Sequence, residues 1–366
     1  MNIGIFLGHP AQFHYYKHVA SQLKADGHRV FFAVKEKDIL EDLLRNANLP
    51  YTKVRGSRGD SKLAMIWSVI KMDTNIVRFI KKNKIDLLFG VPPVWGTRLI
   101  CRKSVLLSGE DDAHVAPRTA KLLYPLASEI ITPISCDNGK WNSKSTKYPG
   151  YLKLAYLHPK RFTADKEVVR RYGINPDKPY FLIRFAKLNA HHDSGVSGIS
   201  TDIAQHLIDM LSPHGQIYIT SERQLEPQFE QYRLQINPLD IHHVMAFATL
   251  YIGDSQSMAV EAAMLGVPSL RFNDFVGAKK IGVMEELEHV YGLTYGISSH
   301  EPERLYAKVQ ELLAMPNLRE VFQTRRQKML ADKIDVTAFM TWFIENYPES
   351  ARLAKNADAE FWERFR

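Results

Sequence analysis

Residues 251–270 read YIGDSQSMAVEAAMLGVPSL, and they join an apolar run of strand length to a helical segment. The apolar run breaks at Gly253, small polar residues follow, and an alanine-rich stretch continues until a glycine and a proline stop it. Where a helix begins directly after a strand, the backbone N–H groups of residues 255–258 lack intrahelical partners and can bind an anion. The alternative is an ordinary capped helix, with Asp254 or Ser255 as its cap.

Glu261 is the one acid within this helical segment. It lies four residues after Ser257, so the two side chains share a helix face and lean toward the helix N-terminus. It comes one residue too late for a capping box, which needs the acid three positions after the cap. A carboxylate placed here can accept hydrogen bonds from the vicinal hydroxyls of a sugar, and the alternative is a solvated surface acid.

Outward from this stretch, apolar runs of strand length alternate with helix-period segments through most of the 366 residues. Strands that are apolar throughout and separated by helices predict parallel sheets covered on both faces, so the class is α/β. We expect a Rossmann-like domain over 1–150, a polar, turn-rich linker over 151–178 and a second Rossmann-like domain over 179–334. The amphipathic tail, 335–366, is expected to dock on its own protein.

The second half predicts strands in PYFLIRF, GQIYITSE, QINP, TLYIG, SLRF and LTYGIS. Helices are predicted over 200–211, 241–248, 257–265, 281–289 and 301–315. In the first half, the segment LAMIWSVIKMDTNIVRFIKK predicts an amphipathic helix, whose apolar face contains Ile66, Val69, Ile70, Val77 and Ile80.

Composition indicates a protein of the reducing cytoplasm. Hydrophobic residues make up 45% and charged residues 24%, the usual globular balance. Two cysteines are too few for a disulfide framework or a cysteine-built metal site. The first residues show no signal peptide, and no apolar stretch is long enough to span a membrane.

The formal net charge of +8 suggests an anionic partner. Nucleic acid is not expected, because the basic residues form small groups and no helix-turn-helix, zinc-finger or ribonucleoprotein-type motif is present. The remaining partners are a phosphorylated ligand and a peripheral contact with an anionic membrane, and the alternative for most of the basic residues is a solvated surface. A dinucleotide cofactor is not expected either, since the first strand ends in FLGHPAQFH, which has one glycine instead of G-x-G-x-x-G.

Polar residues after other predicted strands share the carboxyl edge of a sheet, where doubly wound domains bind ligands. Clustered acids there raise one another's pKa and can supply a general base, with a solvated loop as the alternative. Two adjacent histidines rarely reach one metal ion, so a metal site is not expected, and contact with phosphate oxygens fits better. His242 is a candidate contact to a base or ribose, with core packing as the alternative. The strand-end candidates are His9, Glu110, Asp111, Asp112, Arg184, His191, His192, Ser221 and Glu222.

The segment NPLDIHHVMAFATLYIGDSQSMAVEAAMLGVPSL resembles the nucleotide-sugar segment of GT-B enzymes, and of UDP-N-acetylglucosamine 2-epimerases in particular. In those enzymes a D-S-small-small loop holds the diphosphate, and a glutamate seven positions after the aspartate holds the ribose. Together with RFAKLNAHHDSGVSGIS, ITSE and RFNDFVG, the string resembles a bacterial and archaeal family, domain of unknown function 354. The residues that match the spacing are Asp254, Ser255, Glu261, Ala262, Leu265, Gly266 and Pro268.

The resemblance implies a GT-B fold, in which two Rossmann-like domains face each other across a cleft and the last helix returns to the first domain. It implies that Ser255, Gln256 and Ser257 hold the diphosphate and that Glu261 holds the ribose. The residues it places near the catalytic groups of the epimerases are His9, Glu110, Asp111 or Asp112, and His191 or His192.

Two departures argue against epimerase chemistry and leave nucleotide-sugar binding intact. Gln256 and Ser257 stand where the epimerases have paired glycines, and NAHHD does not reproduce their arginine-glutamate loop. We therefore expect a glycosyltransferase that moves a sugar from a nucleotide diphosphate, UDP in the first instance, to a glycan or lipid-linked acceptor in polysaccharide or glycolipid biosynthesis. The alternatives are an epimerase or hydrolase of the same nucleotide sugar and a non-catalytic nucleotide-sugar-binding protein. No cofactor is expected besides the substrate, and the sequence does not indicate an oligomeric state.

Overall fold

The chain forms two compact units. Unit 1 contains Met1–Arg161 and Lys333–Arg366, and unit 2 contains Phe162–Asp332. No helix within the described residues is long and apolar enough to cross a membrane. The residues that the computed structural model describes are 1–35, 38–54, 62–186, 198–277 and 280–366, without the side chains of 38–39 and 62–66.

Unit 1 is built on a seven-stranded parallel sheet with the order β3-β2-β1-β4-β5-β6-β7. Its central strands are buried along their length, as expected for a parallel sheet covered on both faces. The strand order reverses between β1 and β4, which is the doubly wound arrangement. The strands are β1 Asn2–Leu7, β2 Arg29–Lys35, β3 Tyr51–Val54, β4 Leu87–Gly90, β5 Ser104–Ser108, β6 Glu129–Pro133 and β7 Ser145–Tyr148.

Unit 2 has a five-stranded parallel sheet with the order β12-β11-β10-β8-β9, which reverses between β8 and β10. The strand predicted in QINP, residues 235–238, is wrong: the nearest pairing is one isolated bridge between Ile219 and Arg233, just before this segment. Asn237 instead caps a short 3-10 turn that begins at Pro238, and proline cannot donate to a sheet. The strands are β8 Tyr180–Phe185, β9 Gln216–Ser221, β10 Leu250–Gly253, β11 Ser269–Phe272 and β12 Thr294–Ile297.

Helices connect the strands of both sheets, and those predicted in unit 2 are confirmed to within two residues at their starts. Single turns of 3-10 or π-helix occupy Gly96–Ile100, Gly139–Lys144, Pro227–Tyr232, Pro238–Asp240 and Glu286–Val290. The helices are α1 Pro10–Ala25, α2 Asp38–Asn46, α3 Lys62–Asn83, α4 Pro117–Leu123, α5 Leu154–Leu157, α6 Lys166–Arg170, α7 Thr201–Leu211, α8 Ile241–Phe247, α9 Gln256–Met264, α10 Gly282–Glu285, α11 Pro302–Leu313, α12 Leu318–Asp332, α13 Val336–Glu345, α14 Glu349–Lys355 and α15 Ala359–Glu363.

The C-terminal helices belong to unit 1, as the family resemblance implies. Asp335 caps α13 and forms a buried ion pair with Arg161, whose Nη2 lies 2.7 Å from Oδ2. The Thr337 hydroxyl donates to the Ala155 carbonyl at 2.7 Å. Phe339 is fully buried in a cluster of aromatic rings. The tail is therefore part of the core of unit 1.

The segment 151–178, predicted as a linker, is divided between the units. Residues up to Arg161 lie in unit 1 and include α5, and the remainder lies in unit 2 and includes α6. Tyr151 and Leu152 are buried although the surrounding sequence is polar and turn-rich. Polarity alone therefore gives a poor estimate of where one unit ends.

The predicted apolar face of α3 is only partly buried. Ile80 packs in the core of unit 1 with Ile76 and Phe79. Val69 and Ile70, nearer the start of the helix, are 46% and 49% exposed. The Ile66 side chain lies outside the described side chains.

Candidate functional site

The strand order of unit 2 places residues 251–270 at its topological switch point. β8 and β10 are neighbours, and β9 and β11 lie on opposite sides of this pair. The connections that leave β8 and β10 therefore diverge and open a crevice at the carboxyl edge of the sheet, where doubly wound domains bind their ligands. The crevice position follows from topology alone and agrees with the motif.

Close packing of β8 against β10 requires a glycine at the end of β10. Gly253 pairs with Arg184 in the ladder, and a Cβ at position 253 would lie 2.9 Å from the Cβ of Arg184 and 2.5 Å from the Tyr251 hydroxyl oxygen. Real Cβ atoms do not approach so closely. The break in the apolar run at Gly253 is thus a packing requirement at the rim of the crevice.

Asp254 connects the strand ends at this rim through hydrogen bonds. Its side chain is 2% exposed, and Oδ1 accepts a hydrogen bond from the Ala186 N–H at 2.6 Å. Its backbone carbonyl accepts from Asn273 Nδ2 at 3.0 Å, so one residue links the ends of β8, β10 and β11. Burial raises the pKa of Asp254 to about 6, against the opposing effects of the Ala186 hydrogen bond and the Arg223 charge. One carboxylate oxygen of Asp254 is thus bonded to backbone, and a role for Asp254 in binding the nucleotide sugar stays a prediction.

Helix α9 begins one residue before the predicted start. Ser255 is its N-cap and accepts from the Met258 N–H at 3.5 Å, as the capped-helix alternative has it. Gly266, with φ of 69°, follows the end of the helix in the left-handed conformation that glycine permits. The N–H groups of Gln256 and Ser257 lie in the first turn, where an α-helix offers them no acceptor. Capping and anion binding are therefore compatible here, because they use different groups.

Glu261 lies in a buried pair, which contradicts the alternative of a solvated acid. Its Oε2 is 3.4 Å from His242 Nε2, and both residues are at most 9% exposed. His242 lies in the first turn of α8, and its ring meets that of Phe162 edge-on, with centroids 6.2 Å apart. The structure therefore shows His242 packed in the core beside Glu261, and its contact to a base or ribose stays a prediction.

The ends of β8 and β9 contribute a second set of charges to the same edge. Arg184 forms an ion pair with Glu222. Ser221 closes a local turn, since its hydroxyl donates to the Arg223 carbonyl at 2.6 Å and accepts from the Arg223 N–H at 3.1 Å. The Arg223 guanidinium stacks on the Phe185 ring at 4.7 Å. Arg184 and Arg223 thus place two cations at this edge, while the Ser221 hydroxyl is engaged in its own turn.

Two residues of this edge are missing from the sequence-based predictions. Arg223 follows Glu222 directly after β9, and Asn273 directly follows β11. Applying the strand-end rule to every strand, instead of only to conspicuous motifs, would have found both. Asn273 is fully buried, so its role as a brace could not be read from the sequence.

The corresponding edge of unit 1 carries His9. His9 is the exposed N-cap of α1, and its Nδ1 accepts from the Ala11 N–H at 3.3 Å. In a neutral imidazole, the nitrogen that accepts a hydrogen bond is unprotonated, so the proton sits on Nε2. The ring therefore faces outward as a hydrogen-bond donor.

The three adjacent acids of unit 1 have different surroundings. Glu110 forms a buried ion pair with Lys153, and its Oε2 accepts from the Leu152 N–H at 3.1 Å. Asp112 is 2% exposed, and its Oδ1 accepts from the Asp137 N–H at 2.6 Å. Asp111 is exposed. Glu110 and Asp112 thus contact other groups of unit 1 and Asp111 is exposed, and a catalytic carboxylate at Glu110, Asp111 or Asp112 stays a prediction.

His191 and His192 lie outside the described residues. Within the part of the chain that the structure describes, no group of three histidine, cysteine, aspartate or glutamate side chains is arranged to hold a metal ion.

A family model described as Protein of unknown function (DUF354) matches residues 1–302. The chain belongs to the DUF354 family. An uncharacterised protein of Methanocaldococcus jannaschii is 27% identical to this DUF354 member over 173 residues, which cover 44% of this chain and 49% of the relative. The chain thus spans about half the length of that curated relative.

Several solved structures share the fold over almost the whole length of this DUF354 protein. UDP-GlcNAc 2-epimerase from Neisseria meningitidis, bound to UDP-GlcNAc, matches with a TM-score of 0.66 and 13% identity, covering 94% of this chain and 100% of that one. S. aureus MnaA with UDP matches at 0.65 and 12%, covering 95% and 97%. The spinosyn rhamnosyltransferase SpnG with thymidine diphosphate matches at 0.63 and 14%, covering 94% and 100%. At these identities the likeness shows the fold, and the expected GT-B class with two Rossmann-like units is confirmed.

Proposed function

We propose that this protein is a glycosyltransferase that uses a nucleotide-diphosphate sugar, with UDP as the expected nucleotide. The observation that carries the proposal is the switch-point crevice of unit 2. There, the first turn of α9 offers backbone N–H groups, and the buried carboxylate of Glu261 lies on the same helix. Similar folds have been solved with UDP, UDP-GlcNAc or thymidine diphosphate, which supports a ligand of the same class here.

The residues of the crevice suit the two halves of a nucleoside diphosphate. The diphosphate would accept hydrogen bonds from the N–H groups of Gln256 and Ser257 and from their side chains, while Arg184 supplies positive charge. Glu261 would accept hydrogen bonds from the ribose hydroxyls. His242 Nε2 lies 3.4 Å from Glu261 Oε2 in the buried pair. The Glu261 side chain is therefore already ordered, and little conformational entropy is lost when the ribose binds.

Transfer of the sugar breaks the bond between its anomeric carbon and the diphosphate oxygen and forms a bond to an acceptor hydroxyl oxygen. The departing diphosphate gains negative charge, which helix N–H groups and Arg184 can stabilise without a metal-binding motif. The proton of the acceptor hydroxyl passes to a general base. Asp111 is the candidate base, because it is the exposed member of the acid cluster. The proposed acceptor is a glycan or a lipid-linked sugar.

Replacing Glu261 with glutamine should weaken UDP binding by about 10- to 100-fold, because hydrogen bonds to a charged group contribute about 1.5–3 kcal/mol. Titration calorimetry of UDP against the wild type and Glu261→Gln measures the change. A matched control is Glu345→Gln, since Glu345 also faces a histidine, His28, at 3.1 Å, but in unit 1. Equal affinity of Glu261→Gln and the wild type would remove Glu261 from the ribose site. Failure of uridine, thymidine, guanosine and cytidine diphosphates to bind would overturn the proposal itself.

The runner-up function is epimerisation or hydrolysis of the same nucleotide sugar. It requires acid and base groups on both sides of C2, and the cluster 110–112 was the sequence-based candidate for them. Glu110 is paired with Lys153 and Asp112 is bonded to backbone, so this cluster offers one exposed carboxylate. Because Glu110 and Asp112 already contact other groups of unit 1, the cluster supports transfer to an acceptor over epimerisation, which needs two such groups.

Incubation with UDP-GlcNAc in deuterated water should leave the C2 proton in place. An epimerase removes that proton, so proton NMR of the recovered nucleotide sugar would show loss of the C2 signal. Such a loss would establish the runner-up function. Binding without C2 exchange, sugar transfer or hydrolysis across acceptor panels would favour the third alternative, a non-catalytic binding protein.

A further inference from the structure

Unit 1 exposes a strip of large apolar side chains that the proposed function does not use. Four lie between 46% and 59% exposed and the two most exposed at 64% and 66%, although residues of these types are usually buried. Single exposed residues of this kind are common, but a contiguous set indicates an interaction surface. The apolar strip consists of Trp67, Val69 and Ile70 of α3 and Trp95, Leu99 and Ile100 of the following single helical turn.

The two elements that carry the strip are fixed to each other. The Gly96 N–H donates to Asp73 Oδ1 at 2.7 Å, and a Cβ at position 96 would lie 2.7 Å from Val77 Cγ2. The helical turn therefore packs closely on α3 at Gly96, against Asp73 and Val77. Val69 and Ile70 lie one turn before Asp73 on the same face of α3, so they continue the surface formed by the turn.

The strip is an outer layer over a core that is already complete. Ile76 and Phe79 point from α3 into a buried cluster, and Met72 and Cys101 pack against that cluster from its rim. The strip residues lie outside this cluster and are exposed in the folded chain. These apolar side chains thus contribute little to the stability of unit 1, and their exposure indicates that they bind a partner.

Positive charge is concentrated in the segment of the chain that carries the strip. From Trp67 to Lys103 the sequence holds eight lysines and arginines against two aspartates, a balance of +6 within a chain whose net charge is +8. Both aspartate side chains accept hydrogen bonds from backbone: Asp73 from the Gly96 N–H, and Asp86 from the Asn2 N–H at 2.8 Å. Lys71 follows Trp67 by one helical turn, and Arg102 follows the turn that carries Leu99 and Ile100.

This charge distribution discriminates between the two simplest partners. A two-fold contact between copies of the chain would bring the same basic surface face to face with itself, at an electrostatic cost. An anionic lipid surface neutralises the basic residues, and tryptophan side chains are favoured at the boundary between headgroups and acyl chains. We propose that the apolar strip and its basic rim dock unit 1 on an anionic lipid bilayer.

Vesicle co-sedimentation of the full chain tests the proposal. We expect binding to vesicles of phosphatidylcholine with 30 mol% phosphatidylglycerol, with weak binding to pure phosphatidylcholine and at high salt. The variant Trp67→Ala/Leu99→Ala should bind at least tenfold more weakly, because it removes the apolar contacts. The matched control is Val290→Ala/Leu353→Ala, which alters exposed apolar residues outside the strip and should bind as the wild type does.

A second pair of variants tests the basic rim separately. Lys71→Gln and Arg102→Asn should each weaken binding to anionic vesicles by about fivefold and reduce its salt dependence. Asparagine is chosen at position 102 because Arg102 has φ of 53°, which asparagine tolerates. All substituted positions are exposed, so circular dichroism should report an unchanged fold.

Three outcomes would overturn lipid docking. The first is equal binding of the wild type to anionic and neutral vesicles, and the second is equal binding by the strip variant and its control. The third comes from sedimentation velocity: a wild-type dimer that Trp67→Ala/Leu99→Ala converts to a monomer would make the strip an interface between copies of the chain. None of these measurements depends on nucleotide binding, so they leave the proposed function untouched.

Discussion

Lys153→Met is expected to lower the free energy of unfolding of unit 1 by about 3–5 kcal/mol. Lys153 and Glu110 form an ion pair in which the two side chains are 5% and 11% exposed. Methionine fills much of the same volume but leaves the Glu110 carboxylate buried without its counter-charge. All five tryptophans of the chain lie in unit 1, so tryptophan fluorescence during urea unfolding reports on this unit selectively.

The double variant Glu110→Gln/Lys153→Met should recover most of the loss, because glutamine is neutral and keeps an oxygen for the Leu152 N–H. Arg45→Met serves as the control, since Arg45 pairs with Asp42 on the surface and both side chains are 63% exposed. Its removal should leave unfolding nearly unchanged. If Lys153→Met is as stable as Arg45→Met, the pair is dispensable, and Glu110 would return as a candidate general base.

Asp254→Asn should change the pH dependence of the stability of unit 2. The folded pKa of Asp254 is raised to about 6 from an ordinary value of 3.8, so the folded chain binds this proton more tightly than the unfolded chain does. The protonated Asp254 carboxyl therefore stabilises the folded state fully below about pH 4, and this stabilisation is lost as the pH rises to about 6. The difference of about two pH units corresponds to about 3 kcal/mol, and asparagine removes it because it does not titrate.

The measurement is hydrogen–deuterium exchange of peptides from β8 and β10, followed for the wild type and Asp254→Asn at pH 4 and pH 7. Asparagine retains an acceptor oxygen for the Ala186 N–H, so the brace itself is preserved. From pH 4 to pH 7, the free energy of unfolding of the variant should rise by about 3 kcal/mol relative to that of the wild type. Asp165→Asn is a control in the same unit, since Asp165 caps α6 at an exposed position. A pH-independent difference between Asp254→Asn and the wild type would place the Asp254 pKa near its ordinary value.

Most of the fold follows from the sequence, because buried parallel strands produce continuous apolar runs. The exceptions are short edge strands. In β7, Ser145–Tyr148, the buried Thr146 donates to the buried Glu129 carboxylate at 2.9 Å. Such a strand is polar in sequence and buried in structure, so hydropathy cannot find it. β3, Tyr51–Val54, is also not expected from hydropathy, but for a different reason, since its first three residues are not buried.

The candidate site was predictable in position and less so in detail. The strand-end rule and the spacing from Asp254 to Glu261 place both residues at one edge of unit 2, as observed. What the sequence does not contain is the identity of each side chain's partner. His242 and Glu261 meet across two helices, and Lys153 reaches Glu110 from a different segment of unit 1. Those partners determine the surroundings of each acid, and the sequence alone does not give them.

The assembly of unit 1 from two separated segments has a consequence during protein synthesis. α13 supplies Phe339 to the core of unit 1, yet the whole of unit 2 is translated between that helix and β7. At ordinary elongation rates, translation of residues 162–332 takes roughly 10–30 s. During that interval the nascent unit 1 exposes the apolar surface that α13 later covers, whereas unit 2 is contiguous and can fold as soon as it leaves the ribosome. The earlier-made unit is thus the later to mature, and it is the one that most needs a chaperone.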